Sequence, residues 1–186
     1  MVPVMSLCIP ILLSAVLVFI VSSILHMMLP WHRGDMKQLP SEDSIMEAFR
    51  RANVPPGDYM VPYCDSMKHM KDPAFLEKRN KGPIGMMTIV KGGPPSMGSS
   101  LVQWFLYSLL VGVFAAYLTG RALGPGAPYL AVFRFAGAAG FLGYSMALLQ
   151  NSIWYKRNWT ATIKTMIDGL VYGLVTAGAF GWLWPR

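Results

Sequence analysis

The sequence predicts an all-α membrane protein: four transmembrane helices, with a small α+β polar insert between helices 1 and 2. Three observations carry that prediction. Of the 186 residues, 54% are hydrophobic and only 13% are charged, against about 25% charged in an ordinary soluble domain. The mean hydropathy of +0.41 comes from four long apolar runs rather than from an even spread. A single polar stretch of about 70 residues separates the first run from the other three and holds eight of the nine acidic residues. A simple soluble globule, a disordered chain and a disulfide scaffold are all excluded by this pattern.

The first segment, residues 1–29, contains the run Met5 to Leu29, which has no charged residue. At 1.5 Å per residue it exceeds the ~30 Å hydrocarbon core of a bilayer. A cleaved signal peptide would carry basic residues ahead of a shorter apolar stretch, so the run is expected to be a retained helix, kinked near Pro10. Residues 30–99 form the polar insert. Within it, Ser44-Ile45-Met46-Glu47 reads as a capping box ahead of a short amphipathic helix ending near Asn53. Asp72-Pro73 opens a second short helix, closed by Gly82-Pro83. Tyr59–Tyr63 and Ile84–Val90 are candidate strands that could pair as a two-stranded ribbon, with Pro62 confining the first to an edge.

Residues 100–186 hold the remaining spans, at about 100–120, 129–153 and 161–184. The breaker Gly92-Gly93-Pro94-Pro95 precedes them, and Gly124-Pro125-Gly126-Ala127-Pro128 makes a tight connection. Trp31, Trp104, Trp154, Tyr155, Trp159, Trp182 and Trp184 lie near run ends, as an interfacial aromatic belt requires. Arg33, Lys37, Lys91, Lys156 and Arg157 flank one side, and only Arg121 and Arg186 flank the other. The insert is therefore expected in the cytoplasm, with both termini outside.

The last three runs share a pattern of small residues at four-residue spacing. Ser108, Gly112, Ala116 and Gly120 form one stripe. Ala139, Gly143 and Ala147 form another, widened by Ala136 and Gly140. Gly169, Gly173, Ala177 and Gly181 form the third. Such stripes let helix backbones approach closely in lipid. They predict packing among helices 2, 3 and 4, with partner docking on one stripe as the sharper alternative. Helix 1 lacks a stripe and is expected to pack loosely or against lipid.

The formal net charge is +7, but the segment from Trp31 to Gly98 carries ten basic and eight acidic residues, a net of only +2. No basic stripe forms, and nucleic acid is excluded as a partner. Among polar groups in or near the spans, Lys164 and Asp168 lie four apart and are expected to pair, within reach of His26 in a single bundle. Arg134 lies more than a turn into the third run, where it snorkels to headgroups or meets a partner's carboxylate. With one histidine near a span, the sequence offers no facing pair for a haem. Cys64, Met67, His69 and Met70 resemble a soft-metal cluster, but in a chain with 14 methionines such proximity is expected, and packing is the simpler account. Neither a nucleophile elbow nor a phosphate loop is present. The chain is read as non-enzymatic, with no catalytic residue, metal or cofactor.

The stretch from Ser22 to Pro30 with His32-Arg33, Pro56–Tyr59 and Gly82-Pro83, together with Ser100–Phe105 and Asp168–Gly173, resembles a family of small four-helix bacterial inner-membrane proteins that carries no established activity. A weaker similarity is to extra, non-pigmented subunits of phototrophic reaction-centre complexes. The resemblance implies a multi-pass protein of the bacterial inner membrane and transfers no site residue. The expectation that follows is an accessory or scaffold subunit of a larger photosynthetic or respiratory complex, with other membrane subunits and lipids as partners. The alternative is a small transporter or proton-linked carrier using the Lys164–Asp168 pair.

Overall fold

The computed structural model describes all 186 residues. In chain order the elements are α1 (Cys8–Ser23), α2 (Glu42–Arg51), β1 (Gly57–Val61), α3 (Pro73–Lys81), β2 (Gly85–Ile89), α4 (Gly98–Ala122), α5 (Tyr129–Tyr144), α6 (Leu149–Ile153) and α7 (Trp159–Trp182). They divide into two units: Met1–Lys37 with Ser96–Arg186, and Gln38–Pro95. Residues 30–37, polar in sequence, thus belong by their contacts to the helical unit.

Four helical stretches of the first unit are long and apolar enough to cross a membrane: Val4–Met28, Gly98–Ala122, Tyr129–Ile153 and Trp159–Trp182. Only 28–44% of the most apolar part of each is buried in the bundle, so their outward surfaces are apolar too, as lipid-facing helices require. Around the bundle α1 packs on α4, α4 on α5, α5 on α7, and α7 on α1. Leu7, Ile11, Ala115, Ala116, Val132, Ala136 and Phe180 form one core, while Val18, Val111, Tyr144 and Tyr172 form a second. Two backbone bonds, Val2 N–H to the Gly120 carbonyl and Gly126 N–H to the Pro185 carbonyl (both 2.8 Å), tie the chain's two ends to the α4–α5 region.

The small-residue stripes are mostly buried inside the bundle. A Cβ at Gly173 would lie 2.9 Å from the Phe141 amide nitrogen and 3.1 Å from the Gly137 carbonyl oxygen. The α5–α7 pair, the most extensive contact of the fold, is therefore a backbone-to-backbone approach that any side chain would block. The stripe on α4 meets α1: a Cβ at Gly112 would stand 3.2 Å from an Ile11 methyl and 3.4 Å from the Ser14 hydroxyl. Here the expectation for helix 1 is corrected. It buries Leu7, Ile11, Ser14, Ala15, Val18 and Ser22, and Ile11 and Ser14 lie against Gly112 of the α4 stripe.

The third run is likewise not one uninterrupted helix. It breaks at Ser145, whose φ of −124° leaves the helical region, passes through a 3₁₀ turn at Met146–Leu148, and resumes as α6. The Ser145 hydroxyl donates to the Met166 carbonyl of α7 at 3.0 Å, and Gly169 leaves room for it. Gly143 and Ala147, the end of the third run's stripe, are exposed.

In the second unit β1 and β2 pair antiparallel, from Gly57 opposite Ile89 to Val61 opposite Gly85. Pro62 follows directly and ends the first strand. Between the strands lies α3, whose Asp72 carboxylate accepts the Ala74 amide at 2.8 Å ahead of Pro73, and which closes at Gly82 with φ +64°. Helix α2 starts earlier than the capping box implied. Its N-cap is Ser41, in a left-handed conformation, and no side chain caps it. Glu47 instead binds Arg50 and Arg51, at 2.9 and 3.2 Å, one turn onward.

Candidate functional site

At the end of α1 the chain widens into a π-helical turn, Ile24–Met28, and then folds back through a 3₁₀ turn at Pro30–His32. Leu29-Pro30 forces the change, since a residue preceding proline is driven out of the helical region; Leu29 has ψ 142°. The Asp35 amide then bonds the His32 carbonyl at 3.0 Å. These turns carry His26, Trp31, His32 and Asp35 against the N-terminal half of α7, where Lys164 and Asp168 stand one turn apart.

His32 is the hub. Its Nδ1 lies 2.6 Å from Asp35 Oδ2, and its Nε2 lies 2.6 Å from Asp168 Oδ2. With a carboxylate at each ring nitrogen, both bonds require an N–H donor or a cation in its place. Asp168 is 2% exposed, and His32 is its single hydrogen-bond partner. Lys164 donates to Asp35 Oδ1 and to the Trp31 carbonyl, both at 2.9 Å, and its ammonium sits 5.6 Å over the Trp31 ring. The His32 and Lys164 hydrogen bonds hold the Asp35 carboxyl below its usual range, against a smaller opposing effect of desolvation. His26 stacks on His32, with ring centroids 4.6 Å apart and planes 17° from parallel. Its Nδ1 faces the Ser22 carbonyl at 3.1 Å. A carbonyl can only accept, so the proton sits on Nδ1 and Nε2 keeps its lone pair.

The expected Lys164–Asp168 pair is thus not formed. Both residues lie on one face of α7 as the spacing requires, but each is claimed by the turn after α1: Lys164 by Asp35, Asp168 by His32. His26 does not stand alone at the end of the first span, because His32 stacks on it. His32 and Asp35 are the site residues that sequence reasoning missed. The available signal was the spacing His32-x-x-Asp35 behind Pro30, which fits a turn placing both side chains on one side. Arg134 takes no part: it is exposed on α5, remote in sequence from every acidic group, and makes no ion pair. In the second unit, His69 Nδ1 meets Asp65 at 3.1 Å and the Cys64 thiol donates to the Ser66 carbonyl, so these polar groups serve a local turn.

Beside the cluster lies a cavity of about 500 Å³. Trp104, Tyr107, Tyr144 and Tyr172 form its aromatic wall, and His26 and Asp168 close its polar end. The Trp104 indole N–H donates to the Ser22 hydroxyl at 2.8 Å. The Tyr172 hydroxyl is buried and has no hydrogen-bond partner.

Four helices long and apolar enough to cross a membrane, with a polar cluster and a cavity beside them, fit a protein of multi-pass membrane type. No family model matches the chain, and comparison with curated proteins and with solved structures finds no match.

Proposed function

We propose that the protein is a non-catalytic accessory or scaffold subunit of a larger complex in a bacterial inner membrane. In this reading the Gln38–Pro95 unit lies in the cytoplasm and both termini lie outside. Arg134 is the observation that carries the proposal. It is exposed on α5, about 7.5 Å along the helix from Tyr129 at 1.5 Å per residue, between Leu130 and Phe135, which are also exposed. An arginine on an apolar outer face costs several kcal/mol unless it reaches headgroups or a partner charge. All nine acidic residues of this chain fall within 35–77 or at position 168. A carboxylate on a neighbouring subunit is the group that would match Arg134.

The test is extraction of native membranes in a mild detergent, followed by native electrophoresis and mass spectrometry. Co-migration with one large complex at fixed stoichiometry is expected. Migration alone, near its own mass plus detergent, would overturn the proposal.

A second reading, a small transporter, is favoured by the cavity that reaches buried Asp168. It requires Asp168→Asn to abolish a substrate-dependent phenotype while the protein still accumulates in the membrane; an unaltered phenotype removes it.

A further inference from the structure

We propose that His26, His32 and Asp168 form a binding site for a first-row divalent cation, with Zn²⁺ the ion best suited to it. One ring nitrogen from each histidine and one carboxylate oxygen of Asp168 lie within 4.8 Å of one another. Two imidazoles and one carboxylate are the donor set of zinc sites that keep a coordination position open.

Four features make this more than proximity. First, each histidine has its Nδ1 occupied: His26 by the Ser22 carbonyl and His32 by Asp35. That leaves both Nε2 atoms as the available donors. A carboxylate behind a ligating histidine is the usual outer support of a metal site, and Asp35 stands in that place. Second, Asp168 is buried and bonds His32 Nε2 alone, so an ion seated there would meet a carboxylate that no other side chain satisfies. A metal there replaces the proton that the His32–Asp168 bond otherwise needs. Third, the local charge is right. With neutral imidazoles, the two carboxylates outweigh Lys164 by one negative charge, which a divalent ion reverses to one positive. Fourth, there is a way in. His26 is exposed, and it lines the aromatic cavity together with Asp168, so a remaining coordination position would face that cavity.

Metal–ligand bonds of ~2.0–2.1 Å place tetrahedral ligand atoms roughly 3.3 Å apart. His32 and Asp168 would separate by about 0.7 Å, and His26 would close by up to about 1.5 Å. The His26 ring must also turn out of its stack on His32, because imidazole lone pairs lie in the ring plane and the two planes are now 17° from parallel. His26 is exposed on a single π-helical turn that can supply both the shift and the rotation.

This inference stands apart from the partner proposal, and its test uses no partner. The full chain is purified in mild detergent through a tag without histidines, stripped with a chelator and titrated with Co²⁺. One Co²⁺ per chain, with the visible absorption of a low-coordinate ion and displacement by Zn²⁺, is the expected result. His26→Ala and Asp168→Asn should each weaken Co²⁺ binding at least tenfold. Asp35→Asn, which removes the outer carboxylate, should weaken it by about tenfold to a hundredfold, and His69→Ala should leave it unchanged. His26→Ala is decisive even if the Asp168 variant fails to fold, because the His26 side chain is exposed. Absence of stoichiometric binding overturns the proposal, as does affinity that survives His26→Ala or is lost in His69→Ala.

Discussion

At the scale of single residues, the His32–Asp168 contact separates two kinds of charge. Asp168 is 2% exposed and bonded to His32 alone. Removing His32 strands a buried carboxylate, a change that costs about 3–5 kcal/mol. Lys164 and Asp35 are 22% and 10% exposed, and Asp35 keeps His32 when Lys164 is lost, so removing Lys164 leaves no buried carboxylate without a partner. In metal-free protein, His32→Ala should lower the thermal unfolding midpoint in detergent far more than Lys164→Met; equal losses would contradict the geometry. Tyr172 makes the opposite case. Its hydroxyl is buried without a partner, and an unmet polar group costs about 1–3 kcal/mol. Tyr172→Phe should therefore leave the midpoint unchanged or raise it, and a clear fall would mean that the hydroxyl has a bonding partner in the cavity. Sequence reasoning found His26, Lys164 and Asp168 because charges and histidines near apolar runs are conspicuous. It paired Lys164 with Asp168 because four-residue spacing is a local rule. The actual partners lie more than 120 residues away in the chain, and no periodicity encodes a contact of that range.

At the scale of elements, the small-residue stripes were legible because they are a helical period written in side-chain size. What they did not reveal was the partner of each stripe. The α4 stripe takes α1, whose own small residues Ser14, Ala15 and Ser22 are hidden among Leu, Ile and Val. The break at Ser145 was equally silent, since no proline or glycine pair marks it; it arises where the Ser145 hydroxyl reaches the Met166 carbonyl over Gly169. Gly173→Val forces a branched side chain against the α5 backbone, and such overpacking costs about 1–3 kcal/mol or more where backbone must move. The variant should lose midpoint sharply in the same melting assay, whereas Gly124→Ala, with open space around it, should not. For α3, the Asp72 cap was readable because Asp-Pro is a local signal, and capping is a local bond. Asp72→Ala should cost about 1 kcal/mol of helix stability, seen as faster amide hydrogen exchange confined to residues 74–81 of the full chain. Exchange that stays unchanged there would mean that the cap carries no stability.

At the scale of the whole molecule, the four apolar stretches could be read directly from hydropathy, because a membrane's thickness imposes a length that few other structures need. The outer surface is harder to read, since lipid and an apolar subunit make the same demand on side chains. Arg134 breaks that equivalence. If it only snorkels, replacing it with leucine removes a side chain costing about 2.5–3.5 kcal/mol at a helix centre, less near an end. The isolated protein would then be as stable or more stable, and any complex would be intact. If it meets a partner's carboxylate, the same change leaves that carboxylate unpaired in a dry interface, at about 2–5 kcal/mol of association. Arg134→Leu should then keep its unfolding midpoint in detergent yet drop out of the large complex on native electrophoresis. Arg134→Lys should be partly retained, because it keeps the charge and loses the paired geometry of the guanidinium. Full retention of the leucine variant in the complex would place Arg134 among headgroups and leave the partner surface elsewhere on α4, α5 or α7.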